Sequence, residues 1–255
     1  MTGIFQILNR SKSCLQTCAF VFCFLISQAQ ENVTTLGIQF KPMIPSKYFN
    51  TGTEGLESDT INISINPKAG LNFGMVVRRG LTKSWSFETG ICLVQRNYSM
   101  KFDLPQLGET QQMNFRYICY EIPIQGIIFV KLTDQIYMNG SAGFSLDLYP
   151  SDIETFTSVR KDSISYDFMQ KTWRKSWIQA AILANYGFEY RTKSSGYFYL
   201  GASYHRPFNE IGYTAIEVER NSNPDRYVLL LRGNYLTADF RYFFHEKPER
   251  KKPKE

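Results

Sequence analysis

The sequence predicts an all-β chain: an eight-stranded antiparallel up-and-down transmembrane β-barrel. Three observations predict it. Apolar and polar residues alternate with period two along eight long stretches. The connections between those stretches alternate short and long. An apolar leader precedes the first stretch, so the chain is expected to be exported.

The leader is residues 1–29. Arg10 and Lys12 make it basic, Ala19 to Ile26 is unbroken apolar, and Ser27-Gln28-Ala29 offers the small residues of a cleavage site. This order is that of a secretory signal peptide, and the apolar run is short for a membrane anchor. Phe22 and Phe24 deny Cys23 the small neighbours of a lipidated cysteine. Loss of Arg10 and Lys12, with no acid beside them, takes the formal charge from +6 to +4. Cys92 and Cys119 then remain of five cysteines, which excludes a disulfide scaffold.

The barrel is expected over residues 30–244. The first stretch, Val33 to Pro42, sets Leu36, Ile38 and Phe40 against Gly37, Gln39 and Lys41. The second, Pro67 to Arg79, sets Leu71, Phe73, Met75 and Val77 against Gly70, Asn72, Gly74 and Arg78. The third, Ser84 to Phe102, sets Trp85, Phe87, Ile91 and Leu93 against Ser86, Glu88 and Cys92. The fourth, Met113 to Lys131, sets Tyr120, Ile122, Ile124 and Ile128 against Cys119, Glu121 and Gln125. The fifth, Gln135 to Tyr149, sets Ile136, Met138, Phe144 and Leu146 against Asn139, Ser141, Ser145 and Asp147. The sixth, Ser176 to Arg191, sets Ile178, Ile182, Tyr186 and Phe188 against Gln179, Asn185, Glu189 and Arg191. The seventh, Gly196 to Pro207, sets Phe198, Leu200 and Tyr204 against Tyr199, Ser203 and His205. The eighth, Arg226 to Phe244, ends with Leu236, Phe240 and Tyr242 against Thr237, Asp239 and Arg241.

Short connections are expected at Gly80-Leu81-Thr82-Lys83, Leu132-Thr133-Asp134 and Thr192-Lys193-Ser194-Ser195. Long ones run from Met43 to Asn66, Asp103 to Gln112, Pro150 to Lys175 and Phe208 to Asp225. An even strand number puts both ends of the barrel on the short-turn, periplasmic side. Residues 245–255 are read as a basic periplasmic tail. The charged loop from Pro150 to Lys175 reads first as solvated and mobile, and second as a binding loop.

Alternation alone does not say which face is inside; a soluble lipocalin-like ligand binder alternates too. Lipid outside is favoured on three grounds. The stretches reach the roughly 9–11 residues a tilted membrane strand needs. The polar faces carry acids and bases that can pair in a narrow bore: Glu88, Glu121, Asp147, Glu189 and Asp239, with Arg191 and Arg241 and, of similar parity, Arg78 and Arg96. Aromatics near strand ends (Trp85, Phe102, Tyr149, Trp177, Tyr190, Tyr242) read as interfacial girdles. Pro123, which lacks a ladder donor, predicts an irregularity in the fourth strand.

Tyr120-Glu121-Ile122-Pro123-Ile124, followed by an apolar run to Lys131, resembles a signature of Bacteroidota outer-membrane β-barrel proteins of the PorT-like or OmpA-like kind. The glycine-punctuated Gly70-Leu71-Asn72-Phe73-Gly74 is similar to theirs as well. The resemblance implies insertion into the lipid of the outer membrane. It implies no single activity. Those barrels commonly end on an aromatic residue, whereas here His245 to Glu255 follow Phe244.

The function expected is a structural or interaction component of the envelope, meeting partners through long loops or the tail. A small pore or transporter is the alternative, and a rim enzyme built on His205, with Asp147 and Ser145 across the bore, is the next. No enzymatic activity is expected, because the fifth and seventh strands are not neighbours and the reach would have to cross the lumen. No cofactor is expected, no metal set, because one barrel histidine and two cysteines lack metal-ligand spacing, and no nucleic-acid partner, because no such motif is present. Cys92 and Cys119 lie on adjacent strands with the same facing, so a disulfide and free thiols are both open.

Overall fold

The computed structural model describes residues 33–45, 53–57, 61–105, 108–161, 164–220 and 223–245. The segments read as signal peptide and tail lie outside these residues, His245 excepted.

Eight strands form a ring. They are β1 (Thr34–Ile44), β3 (Asn62–Gly80), β4 (Trp85–Leu104), β5 (Glu109–Lys131), β6 (Ile136–Leu148), β9 (Ile178–Arg191), β10 (Tyr197–Pro207) and β13 (Tyr235–Phe243). Each pairs antiparallel with its neighbour, and β1 pairs with both β13 and β3 to close the circle. Closure satisfies every strand edge within the wall, as hydrocarbon requires.

The faces are inverted relative to a soluble barrel. Along β9, Ile178, Ile182, Tyr186, Phe188 and Tyr190 are exposed, while Gln179, Asn185 and Glu189 are buried. The same holds for Leu36, Ile38 and Phe40 against Thr35, Gln39 and Lys41 on β1. Polar inside and apolar outside excludes the lipocalin-like arrangement. The outside is lipid.

The three short turns share one device. Thr82 Oγ1 accepts from the Ser84 and Trp85 amides at 3.3 and 3.0 Å, and Thr133 Oγ1 from Gln135 and Ile136 at 3.3 and 3.0 Å. Thr192 Oγ1 accepts from the Ser195 amide at 2.9 Å. A threonine hydroxyl thus stands in for a backbone acceptor at each reversal. Gly196, at φ +86°, completes the third turn in a conformation that L side chains rarely adopt.

Several expectations need correction. The eighth stretch is two strands, β12 (Asn223–Leu231) and β13, broken at Arg232-Gly233-Asn234. The long loops carry structure: β2 (Glu54–Glu57), β7 (Ile153–Lys161), β8 (Ile164–Arg174) and β11 (Gly212–Arg220). Strands β7, β8, β11 and β12 form a separate antiparallel sheet in the order β12-β11-β8-β7. It packs against the upper ends of β3, β4 and β5, which run well past the barrel wall.

Between those layers, above the ring of paired strands, lies an apolar core built from residues such as Ile63, Met100, Phe102, Phe115, Phe168, Ile216 and Leu231. Phe102 stacks on Phe168 at 4.7 Å and Tyr117 on Tyr149 at 5.2 Å. Phe102 and Tyr149 therefore belong to this dome core and not to a girdle, and both are fully buried. Trp85, Trp177 and Tyr190 are exposed, as girdle residues must be.

Pro123 causes no bulge. The β5–β6 pairing runs through it, and the β4–β5 ladder lapses only between Thr89↔Ile124 and Cys92↔Glu121 without changing register. The bulge lies elsewhere, in β3 between Lys68 and Leu71. Cys92 pairs with Glu121 and Cys119 with Val94, so the two cysteines sit diagonally. Both are free and buried, facing Gln39 and Arg96 respectively.

Candidate functional site: a charge network in the bore

Inward positions of every wall strand meet along the barrel axis. Among the described residues, five acids (Glu88, Glu121, Asp147, Glu189, Asp239) face five bases (Lys41, Arg78, Arg96, Arg191, Arg241) there. All are buried except Arg191, which is half-buried. A buried charge without a partner is very costly, so pairing is the condition for this bore to exist.

The half nearer the short turns is the denser. Arg78 reaches Glu88 on the neighbouring strand at 3.0 Å and bonds Glu189 across the bore. Glu88 accepts a second cation, Arg241, at 2.5 Å. Arg241 continues to Asp239 at 2.8 Å, and Lys41 lies 3.6 Å from the same carboxylate. Arg191 holds Glu189 at 2.7 Å. Aromatic rings fill what remains: Arg78 lies 3.8 Å over Phe243 and Arg191 lies 4.0 Å over Tyr137.

Glycines open room for one of these rings. Gly187 and Gly201 stand opposite each other, and a Cβ on either would meet the Tyr199 hydroxyl, at 2.4 and 2.1 Å. Tyr199 thus lies across the pair and donates to Asn185 Oδ1 at 2.6 Å. Asn185 in turn donates to Asp239 at 2.9 Å.

The half beneath the dome centres on His205. Its Nε2 lies 3.0 Å from Asp147, 3.5 Å from Glu121 and 3.2 Å from Ser145 Oγ. Ser145 donates to the other Asp147 oxygen at 2.9 Å. Tyr235 stacks on the imidazole at 4.5 Å and donates to Glu121. Arg96 approaches Asp147 at 3.5 Å.

The seven residues expected to form a lumen network (Glu88, Glu121, Asp147, Glu189, Arg191, Asp239, Arg241) all point into the bore. Arg78 and Arg96, placed near it by parity, are central. Sequence reasoning did not assign Lys41, Tyr199 or Tyr235 to the network. Lys41 has inward parity, but the two tyrosines look like ordinary strand residues. His205, Asp147 and Ser145 do meet across the bore, as the enzymatic alternative requires. They do not form a relay. A triad histidine takes its carboxylate on one ring nitrogen and its nucleophile on the other. Here both fall on Nε2, Nδ1 has no hydrogen-bond partner among the described residues, and the ring is fully buried beneath the dome.

Spacing suggested no metal set, yet the fold brings Glu121, Asp147 and His205 together with ligand atoms within 4.8 Å of one another. The Arg96 guanidinium beside Asp147 already supplies a fixed cation there, and a second cation would be repelled. The cluster is read as an internally neutralised part of the network.

Comparison with known proteins agrees with this architecture. The family described as "Outer membrane protein beta-barrel domain" matches residues 29–212. No curated protein sequence matches. The outer membrane protein OprG of Pseudomonas aeruginosa is similar in fold, with TM-score 0.53 and 11% identity over 86% of this chain and 100% of its own. The outer membrane protease OmpT of Escherichia coli overlaps at TM-score 0.28 and 10% identity, over 87% and 99% of the two chains, which lends nothing to the site. A wall of eight strands with lipid-facing apolar residues, a charge-paired bore and a family match over most of its length place this chain in the outer-membrane protein β-barrel domain family, resident in the outer membrane.

Proposed function

We propose that the protein is a closed barrel that anchors a folded extracellular dome, and that the dome is its means of contact with other envelope components. One observation carries this reading: paired charges and rings fill the bore, and an apolar core is built above it. A pore needs an open polar lumen, and this one is occupied by its own side chains. A hydrolase needs an accessible, correctly partnered nucleophile, and Ser145 is buried against Asp147. The protein is accordingly read as non-enzymatic. Affiliation with the PorT-like barrels of Bacteroidota, and further contact through the basic tail, belong to the same proposal and rest on the Glu121-Ile122-Pro123 segment and the tail composition.

The test is reconstitution of the refolded protein in planar bilayers. No conductance steps above the protein-free baseline are expected. Reproducible single-channel steps would overturn the closed reading and favour the pore.

A further inference from the structure

The wall and the dome do not join flush everywhere. Where β1 ends at Ile44 and β12 gives way to β13, a cleft opens beside the β3 bulge; it encloses only about 40 Å³ and is otherwise open to solvent, so a ligand's chain would lie partly at its mouth. Met43, Ile65 and Leu231 give it an apolar lining, with the rings of Tyr98 and Tyr235. Its charged lining is Lys68, Arg96 and Arg232 against Glu54, a net excess of positive charge.

Arg96 is the unusual member. It is buried, yet its hydrogen bonding is poor for a group with five donors. One Nη donates to the Cys119 thiol at 2.9 Å, and thiols accept weakly. The other reaches Asp147 only at 3.5 Å, and Nε has no hydrogen-bond partner among the described residues. A buried donor left unmet asks for a physical reason. Arg232, half-exposed at the mouth, lies 3.1 Å from Glu54 and would draw anions toward the cleft once that pair opens.

We propose that this cleft binds a small monocarboxylate with a short apolar chain, its carboxylate meeting Arg96 and its chain lying on Met43, Ile65 and Leu231. The apolar lining excludes a strongly hydrated polyanion, and Arg96, which meets Asp147 only at 3.5 Å and has an unmet Nε, keeps donors for no more than one further carboxylate. This inference does not depend on the bore being closed, so the conductance result leaves it untouched.

The test is calorimetric titration of the full-length protein, in a neutral maltoside detergent, with octanoate. Octanol probes the chain without the charge, and acetate the charge without the chain. Saturable one-to-one binding of octanoate, at least tenfold tighter than of either control, is expected. Arg96→Gln should weaken it by about ten- to a hundredfold, the worth of a charged hydrogen bond. Equal binding of octanol and octanoate, or unchanged affinity in Arg96→Gln, would overturn the proposal. Should Arg96→Gln fail to fold, Arg232→Glu decides. That variant changes an exposed side chain and removes the positive excess, so a severalfold loss supports the site and unchanged affinity sinks it.

Discussion

Arg78 on β3 and Glu189 on β9 are joined across the bore by a direct ion pair, although 111 positions separate them in the chain. The pair ties opposite walls together, with Glu88 and Arg191 as the flanking partners. Removing one member leaves the other buried with too little compensation. Arg78→Met is expected to cost about 3–5 kcal/mol, the range for breaking a buried pair. The double variant Arg78→Met/Glu189→Met should cost less than the sum of the single changes, because no orphan charge remains at that contact. Urea unfolding in lipid vesicles, followed by tryptophan fluorescence, measures both. Strict additivity would show that the two side chains do not act on each other.

Apolar exposure means different things above and within the membrane. Ile124 sits on the outer face of β5 and is 42% exposed, whereas Phe156 on the dome is 65% exposed. By area alone, arginine should be tolerated equally at both. The lipid wall reverses this. Ile124→Arg is expected to destabilise by about 2–4 kcal/mol, the cost of a cation near the bilayer midplane. Phe156→Arg should stay within about 0.5 kcal/mol, as for most surface changes. Equal effects at the two positions would place the membrane boundary wrongly.

The contrast also shows what the sequence carried and what it hid. The wall was legible because period-two alternation over long stretches survives without context: β9 and β6 were found nearly to their ends. The bore was legible for the same reason, since Glu88, Glu189 and Arg241 share the inward parity of their strands. The dome was not. Its strands β7, β8 and β11 carry charges along their length, and their inner faces alternate weakly; Gln170, Thr172 and Thr214 are buried there as polar residues. Thr172 and Thr214 settle by bonding one another at 2.8 Å, a contact no single stretch announces. The meeting of His205 with Asp147 was open to suspicion but not to proof, because it depends on bore width and not on spacing along the chain.

At the rim between wall and dome, Lys175 and Glu210 are paired at 3.0 Å. The hydrogen bond from Lys175 holds the Glu210 carboxyl below its ordinary value, and the same bond raises the Lys175 ammonium. A lowered carboxyl contributes stability that is present above the unfolded value of about 4.3 and is lost as pH falls through the lowered one. The raised lysine contributes below about 10.4 and loses that contribution as pH rises through its folded value. The pair is solvent-exposed, so its effect should be small. The expected signature is a small stability gap between wild type and Glu210→Gln across the neutral range that closes at strongly acidic pH. A gap independent of pH down to full protonation would show that Glu210 acts through packing and not through its charge.

The dome should be separable in stability from the barrel beneath it. Phe102 comes from the upper part of β4 and Phe168 from β8, and their stacked rings, both fully buried, join the two dome layers. The wall, by contrast, is fastened by the ladder from β1 through β13 and by the bore's ion pairs. Phe168→Ala removes a buried ring at the centre of the dome and should cost it about 3–5 kcal/mol. That loss falls on β7, β8, β11 and β12, whose sheet is held to the rest mainly by this apolar core, and leaves the wall's own pairing intact. Brief proteolysis of the vesicle-embedded protein should therefore cut Phe168→Ala within the dome far faster than wild type. The unboiled sample should still migrate as a folded barrel on a gel. Simultaneous loss of the fast-migrating form would mean that dome and wall unfold as one unit, and that the apolar core above the membrane helps hold the barrel closed.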